Sequence, residues 1–326
     1  MPRPNPPGPA RPANPSFAEF RAIAQPPEVR ARKSAEHWTA DLYLRDISPY
    51  LSRPLVRLGF SANAVTYLMI LSGWCAAGSL LIPGLVGVAL AVLFGQLQML
   101  IDCCDGEVAR WRGTFSPAGV FLDKVGHYTT ESLIPVALGI RAVGGIDDLS
   151  GHYGWTTLGA LLALVIVLNK ALNDLVHVSR AFAGMDRLPD TAAATAPRPG
   201  MVARLRRIVR FLPFHRLYHS VELTLLAFAA TVIGIIVETS VAGTRVLLLA
   251  LVPLSVVAVI GHFATIMAST RLRAPPRTPT RRPGALSDDA QTPGPGSAPP
   301  VSSDRWRCSL RRPCSRWSAP SHTGSW

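Results

Sequence analysis

Six apolar stretches, each close to twenty residues long, limit how this chain can fold more than any other feature. They fall near residues 61–82, 84–102, 117–140, 153–176, 217–238 and 244–268. A helix needs roughly 20 apolar residues to cross about 30 Å of hydrocarbon. A helix also satisfies its own backbone hydrogen bonds, as lipid demands. We therefore predict an all-α integral membrane protein built as a six-transmembrane-helix bundle.

The positions of the 33 Lys and Arg residues predict how the bundle is oriented. Nine precede the first span, three lie at 105–124, nine at 170–216 and ten after residue 270. The opposite connections hold only Arg141 and Arg245. Because positively charged short loops stay in the cytoplasm, both termini should be cytoplasmic. The formal charge of +13 comes mostly from these cytoplasmic Lys and Arg residues, and it favours contact with membrane lipids. We therefore expect no nucleic-acid partner.

The two ends of the chain have the composition of disordered segments. Residues 1–36 are rich in Pro and charge, and residues 271–326 carry runs of Pro, Ser and Arg. Neither end holds enough apolar residues to offset the entropy lost on ordering. We expect both to be disordered, on either side of a membrane domain at residues 37–270.

An interfacial helix is predicted just before the first span. Between Trp38 and Leu58, apolar residues recur near helical spacing among charged residues, which is typical of a helix lying in the membrane plane. Pro49 and Pro54 are expected to break this helix into two pieces.

Carboxylates at the inner end of the second span and within the third span point to function, because charges at membrane depth are costly. In a helix, one face would present Asp102, Asp105, Gly106 and Ala109. In the third span a four-residue repeat presents Gly119, Asp123, His127 and Glu131. Clustered carboxylates repel one another unless a divalent cation binds them, and hard oxygen ligands favour Mg or Mn. Such a cation would neutralise a diphosphate.

This stretch resembles the signature of the CDP-alcohol phosphatidyltransferases, D-x-x-D-G-x-x-A-R, eight residues, then G-x-x-x-D-x-x-x-D. Seven of the eight fixed positions match, namely Asp102, Asp105, Gly106, Ala109, Arg110, Gly119 and Asp123. The last position is His127 instead of Asp. The segment RPLVRLGFSANAVTYL is also similar to the family's entry into its first span, with Asn63 and Thr66 in the usual places. The resemblance covers roughly residues 38–270.

The resemblance implies a role for each matched residue. Two divalent metal ions, Mg or Mn, would be bound by Asp102, Asp105 and Asp123, and would hold the diphosphate of a CDP-linked donor such as CDP-diacylglycerol. The CDP pocket would be shaped by Gly106, Ala109, Arg110, Gly119, Asn63 and Thr66. An acceptor alcohol or phospho-alcohol would attack the phosphorus next to the donor alcohol, and CMP would leave. The resemblance further suggests a homodimer. From the topology we expect the protein in the plasma membrane, with its site facing the cytoplasm.

His127 has three interpretations. Its imidazole could take the proton of the acceptor hydroxyl, with Glu131 orienting the ring, so that His127 and Asp123 form the catalytic pair. It could instead join the aspartates as a nitrogen ligand to a metal such as Mn. In the third interpretation the base is lost, and the protein is an inactive member that binds CDP-lipid.

Other polar residues are weaker candidates. At the inner end of the fourth span, Lys170, Asn173 and Arg180 could bind the acceptor or could simply anchor the helix at the interface. Glu222 and His262 each lie alone in a span, which favours interhelix hydrogen bonds. A transporter in which Asp123, His127 and Glu131 form an ion or proton relay would need further polar residues beyond Glu131. The sequence there is largely apolar, reading LIPVALGI, which disfavours a transporter.

Overall fold

The computed structural model describes residues 11–30, 38–150, 153–186, 188, 218–237 and 240–273. Within these ranges the regular structure is entirely helical. The helices are α1 Phe17–Ala24, α2 Pro27–Arg30, α3 Arg45–Arg57, α4 Ala62–Ser79, α5 Gly84–Arg112, α6 Pro117–Val143, α7 Tyr153–Phe182, α8 Ser220–Val237 and α9 Ser240–Ala268. A π-helical turn, Ala40–Leu44, leads directly into α3.

Four of the described helices, α5, α7, α8 and α9, are long and apolar enough to cross a membrane. The prediction of an all-α, membrane-embedded protein is therefore confirmed by these four helices. The first and third predicted spans coincide with α4 and α6, whose apolar character is diluted by polar residues such as Asn63, Asp123 and Glu131. The full count of six spans and the side on which the termini lie stay predictions.

The long helices close into a ring. Neighbouring helices pack in the order α4, α5, α8, α9, α7, α6 and back to α4, and α6 also contacts α8 and α9 across the ring. Small residues permit the closest approaches, since a methyl group placed on Gly139 would lie 2.9 Å from the Trp155 carbonyl and 3.1 Å from Gly159 Cα. The largest apolar cluster occupies one end of this ring, where Leu80, Leu138 and Leu162 are fully buried. The polar motif residues lie toward the other end.

The structure differs from the prediction that residues 1–36 are disordered, because α1 and α2 lie within them. The Ser16 side chain caps α1 by accepting a hydrogen bond from the Glu19 amide at 3.2 Å. Phe20 is fully buried, with its ring 5.5 Å from that of Trp111 at the end of α5. A few buried residues, with Phe20 the largest, thus order a segment whose average composition is polar. Residues 1–10 and 31–36 lie outside the described residues, as do residues 274–326 of the C-terminal segment. For these residues disorder stays a prediction.

The expected break of the interfacial helix at Pro49 and Pro54 is also wrong, since α3 runs unbroken through both. A proline cannot donate a hydrogen bond to the carbonyl four residues earlier. For Pro49 that carbonyl belongs to Arg45, and it accepts a hydrogen bond from Gln25 Nε2 at 2.5 Å instead. A side chain from the preceding segment therefore supplies the donor that the proline lacks.

Candidate functional site

The site is built where the N-terminal halves of α4 and α6 meet the C-terminal half of α5. On α5 the motif residues Asp102, Asp105, Gly106, Ala109 and Arg110 are all partly accessible. The intervening residues Cys103, Cys104, Glu107 and Val108 are buried. The helical period thus separates the two sets onto different faces, and the motif face stays open to a ligand.

Three potential ligands from two helices converge in this region. One ligand atom each from Asp102, Asp123 and His127 can be chosen so that all lie within 4.8 Å of one another. His127 Nε2 lies 3.1 Å from Asp102 Oδ1 and 3.4 Å from Asp123 Oδ1. Between 21% and 38% of each side chain is accessible. The imidazole therefore sits between two carboxylates at a place that a small ligand can reach.

Asp105, the remaining motif carboxylate of α5, is oriented by α4. Thr66 Oγ1 donates a hydrogen bond to Asp105 Oδ2 at 2.8 Å, and it also contacts its own helix at the Ala62 carbonyl, 3.1 Å away. Asp105 is close enough to Asp102 and Asp123 for their like charges to interact. We expected Thr66 to line the CDP pocket. In the structure its hydroxyl orients the Asp105 carboxylate.

Asn63 and Gly119 lie opposite each other at the starts of α4 and α6. A methyl group placed on Gly119 would lie 3.2 Å from Asn63 Oδ1 and 3.4 Å from Ser116 Oγ, so only glycine fits without a shift. Ser116 caps α6 by accepting a hydrogen bond from the Gly119 amide at 3.0 Å. The bare position therefore lets two helices approach at the edge of the site.

At the far end of the motif, the Arg110 guanidinium lies across Gly106. Its Nη1 and Nη2 atoms would be 3.1 Å and 3.5 Å from a methyl group on Gly106. Arg110 Nε donates a hydrogen bond to the Ala24 carbonyl at 2.5 Å. The Ala109 carbonyl accepts from the amide of Gly113, whose positive φ of 66° ends α5. Hence Gly106 and Arg110 form one unit, with the glycine leaving room for the guanidinium.

Glu131 does not orient His127 as expected, because its carboxylate is bound by two other residues. Lys170 Nζ lies 2.6 Å from Glu131 Oε1, and His219 Nδ1 lies 3.2 Å from the same oxygen. Glu131 is only 2% exposed, so its charge requires such partners. His219 was missed from the sequence, because it stands 88 residues from Glu131 and no spacing signal joins the two.

The three acceptor candidates on α7 make their contacts at two separate places. Lys170 lies beside the site through its ion pair with Glu131. Asn173 Oδ1 contacts Arg271 Nη1 at 3.4 Å, and Arg180 is buried and donates to the carbonyls of Asp186 and Arg271. Arg180 therefore fastens the end of α7 to the residues after α9.

A further contact joins α6 to α7 next to Lys170. Asp174 accepts a hydrogen bond from the Tyr128 hydroxyl at 3.1 Å and pairs with Lys124 Nζ at 3.0 Å. Tyr128, which directly follows His127, was also missed, because an aromatic residue in an apolar span carries no signal of its own.

The two isolated polar residues make interhelix hydrogen bonds, as predicted. Trp38 Nε1 donates to Glu222 Oε1 at 2.6 Å, and His262 Nδ1 lies 2.8 Å from Asn169 Oδ1. The first bond joins α8 to the residues before α3, and the second joins α9 to α7. Neither residue takes part in the aspartate cluster.

The donor set suits a divalent cation. Asp102, Asp105 and Asp123 offer hard carboxylate oxygens, and His127 adds one imidazole nitrogen, a combination compatible with Mg or Mn. These carboxylates carry more negative charge than the neighbouring histidine can balance, so a bound cation would relieve their repulsion. The chain matches no protein-family model, and it matches no curated protein.

Proposed function

We propose that this membrane protein transfers a substituted phosphate group from a CDP-linked donor to an acceptor alcohol, with release of CMP. The observation that supports this most is the convergence of Asp102, Asp123 and His127 within 4.8 Å, at a partly accessible place between two helices. Asp105, held by Thr66, lies beside them. The same residues carry the resemblance to the CDP-alcohol phosphatidyltransferases.

Asp102, Asp105 and Asp123 are the residues that would hold two divalent ions, Mg or Mn. When bound, these ions would neutralise the donor diphosphate and the charge that develops on the leaving CMP. The Arg110 guanidinium, at the end of the same face of α5, would contact the nucleotide part of the donor. If the donor is CDP-diacylglycerol, its acyl chains would remain in the lipid.

His127 would act as the base. An acceptor hydroxyl oxygen forms a bond to the phosphorus next to the donor alcohol while the bond from that phosphorus to the CMP oxygen breaks. The hydroxyl proton passes to the imidazole, and the resulting imidazolium is stabilised by the carboxylates 3.1 Å and 3.4 Å away. This geometry supports a proton-accepting role for His127, in which Asp102 and Asp123 replace Glu131 as the orienting groups.

We further propose that the site faces the cytoplasm, that the protein resides in the plasma membrane and that it works as a homodimer. The acceptor class stays open among glycerol phosphate, inositol phosphate, serine and related alcohols. Lys170, alone of the three acceptor candidates, contacts a residue within one turn of His127. It is therefore the α7 residue that we expect nearest the acceptor.

The test is CMP release by the purified protein. The protein, in lipid nanodiscs with CDP-diacylglycerol, is given Mg or Mn and each acceptor in turn. We expect CMP with at least one acceptor, and a loss of about 100-fold in Asp105→Asn, because a metal-holding carboxylate is removed. Asp147→Asn is the matched control, since Asp147 is exposed in the connection between α6 and α7. CMP release by Asp105→Asn at the unchanged rate would refute the metal assignment. Absence of CMP with every acceptor, despite bound CDP, would favour an inactive CDP-lipid-binding protein.

A further inference from the structure

A buried carboxylate on the reverse face of α5 ties this helix to the N-terminal part of the chain. Glu107 is fully buried, and its oxygens accept three hydrogen bonds from other helices or their ends. Gln25 Nε2 donates to Oε1 at 2.7 Å, Ser48 Oγ donates to Oε1 at 2.5 Å, and Ser52 Oγ donates to Oε2 at 2.6 Å. We call Gln25, Ser48, Ser52 and Glu107 the α5 anchor. Its side chains take no part in the proposed chemistry.

The same N-terminal segment also binds the last turn of α5. Arg11 Nη1 donates to the carbonyls of Arg110 and Trp111 at 2.6 Å and 2.5 Å. The Arg11 guanidinium carbon lies 5.5 Å from the centroid of the Trp111 ring, within the range of a cation–π contact. Three separate contacts, through Arg11, Phe20 and Gln25, thus fasten residues 11–25 to this end of α5.

One contact of this segment reaches the motif face directly. The Ala24 carbonyl accepts the hydrogen bond from Arg110 Nε, and Ala24 is the immediate neighbour of Gln25. The Gln25 side chain is 5% exposed and bonds both to Glu107 and to the Arg45 carbonyl. The α5 anchor therefore fixes the carbonyl that in turn fixes the Arg110 guanidinium over Gly106.

We propose that Gln25 and Glu107 are positioning residues, which hold Arg110 ready for the nucleotide end of the donor. The proposal rests on the function given above, in which Arg110 contacts the nucleotide. An arginine side chain loses much rotational freedom when it binds a ligand, and fixing it beforehand improves affinity by reducing this loss. The N-terminal segment is then part of the nucleotide site, although none of its side chains touches the ligand.

The experiment compares Gln25→Ala with Glu28→Ala in the full-length protein. Glu28 is the control, because it is exposed on α2 in the same segment. CDP affinity is measured by calorimetry in the presence of Mn, and kcat and both KM values are obtained from CMP release. We expect Gln25→Ala to weaken CDP binding and to raise the donor KM by about fivefold, with kcat and the acceptor KM within about twofold of the unchanged protein.

A second pair of variants covers the case in which Gln25→Ala folds poorly. Glu107→Gln keeps the size of the side chain and an oxygen that accepts hydrogen bonds, whereas Glu107→Ala removes both. We expect Glu107→Gln to retain CDP affinity within about twofold and Glu107→Ala to lose about fivefold or more. A merely structural role would lower kcat through a smaller active fraction while leaving the donor KM and the CDP affinity unchanged.

The outcomes separate this proposal from the function on which it rests. Absence of CMP release from the unchanged protein, with CDP still bound, refutes the transfer reaction alone, and the CDP affinities of the variants then decide the positioning role. Equal CDP affinity in Gln25→Ala and Glu28→Ala overturns that role, as does a fall in kcat alone. Absence of CDP binding to the unchanged protein overturns both proposals.

Discussion

At the scale of single residues, His127 distinguishes this site from the family it resembles. An aspartate there would add a fourth carboxylate, whereas His127 places an imidazole 3.1 Å from Asp102 and 3.4 Å from Asp123. The substitution removes one negative charge from the cluster and adds one nitrogen donor. Both changes alter the chemistry available at the site.

The substitution His127→Asp distinguishes a base at this position from a metal ligand. Oxygen-only sites suit Mg, whereas an imidazole ligand favours Mn and later transition metals. Because aspartates alone hold the ions in the proposed function, we expect the ratio of Mn affinity to Mg affinity to stay within about twofold in His127→Asp. The check is electron paramagnetic resonance of bound Mn during titration with Mg. A fall of about tenfold in this ratio would show that His127 ligates the metal.

The substitution His127→Ala tests the proton-accepting role. Loss of a general base lowers kcat by about 100-fold or more, while binding of the donor is expected to change little. The measurement is CMP release at saturating donor and acceptor, with CDP affinity as the control. A kcat within a factor of two of the unchanged protein would contradict this role.

At the scale of helices, two Lys-carboxylate pairs join α6 to α7 and differ in burial. Glu131 in the Lys170 pair has 3% side-chain exposure, whereas Asp174 in the Lys124 pair has 34%. Loss of one lysine leaves an uncompensated buried carboxylate in the Lys170 pair. In the Lys124 pair, water can solvate the carboxylate that remains. The two pairs therefore form a matched comparison.

Lys170→Met should destabilise the protein by about 3 kcal/mol, because among the described residues Glu131 would keep His219 alone as an ion-pair partner. Lys124→Met should cost less than about 1 kcal/mol. Thermal unfolding of both variants in detergent measures the difference, and Glu131→Gln added to Lys170→Met should restore part of the loss. Equal unfolding temperatures for the two lysine variants would contradict the burial argument.

Two glycines of α4 offer another matched pair. A methyl group on Gly73 would lie 2.0 Å from Thr130 Oγ1 on α6, whereas one on Gly78 would meet no atom within 4 Å. Gly73→Ala should therefore destabilise the α4–α6 contact by about 1–3 kcal/mol, and Gly78→Ala should not. The measurement is again thermal unfolding. Thr130→Ala in the Gly73→Ala background should recover much of the loss, since it removes the two nearest atoms.

The sequence predicts the helices and the shared faces better than it predicts the contacts between distant segments. The helical period predicts that Asp102 and Asp105 share one face of α5, and that Asp123 and His127 share one face of α6. This prediction needs only local information. The bond between Gln25 and Glu107 joins residues 82 positions apart, and its buried carboxylate lies on the face that the motif leaves unused. Such a contact depends on how helices pack, and the composition of residues 1–36 even argued against it.

Across the bundle, the positions of Lys and Arg predict which connections between helices face the cytoplasm. Thr114 lies between α5 and α6, at the end of the bundle that carries the site, and Ser150 lies after α6. In a cysteine-free background, an impermeant maleimide should label Thr114→Cys in inverted vesicles and Ser150→Cys in intact cells. The reverse pattern, or labelling of both from one side, would contradict the six-span topology.

The packing of α6 sets how firmly the site holds its two carboxylates. The C-terminal part of this helix, including Leu138, lies in the large apolar cluster, whereas residues 116–118 at its start are exposed. Asp123 is 15 residues from Leu138, or about 22 Å along the axis, so a tilt of about 5° would displace it by about 2 Å. The contacts of Lys124 and Tyr128 with Asp174 on α7 oppose such a tilt. The geometric tolerance of the site therefore depends on a polar contact between α6 and α7 that lies outside the aspartate cluster.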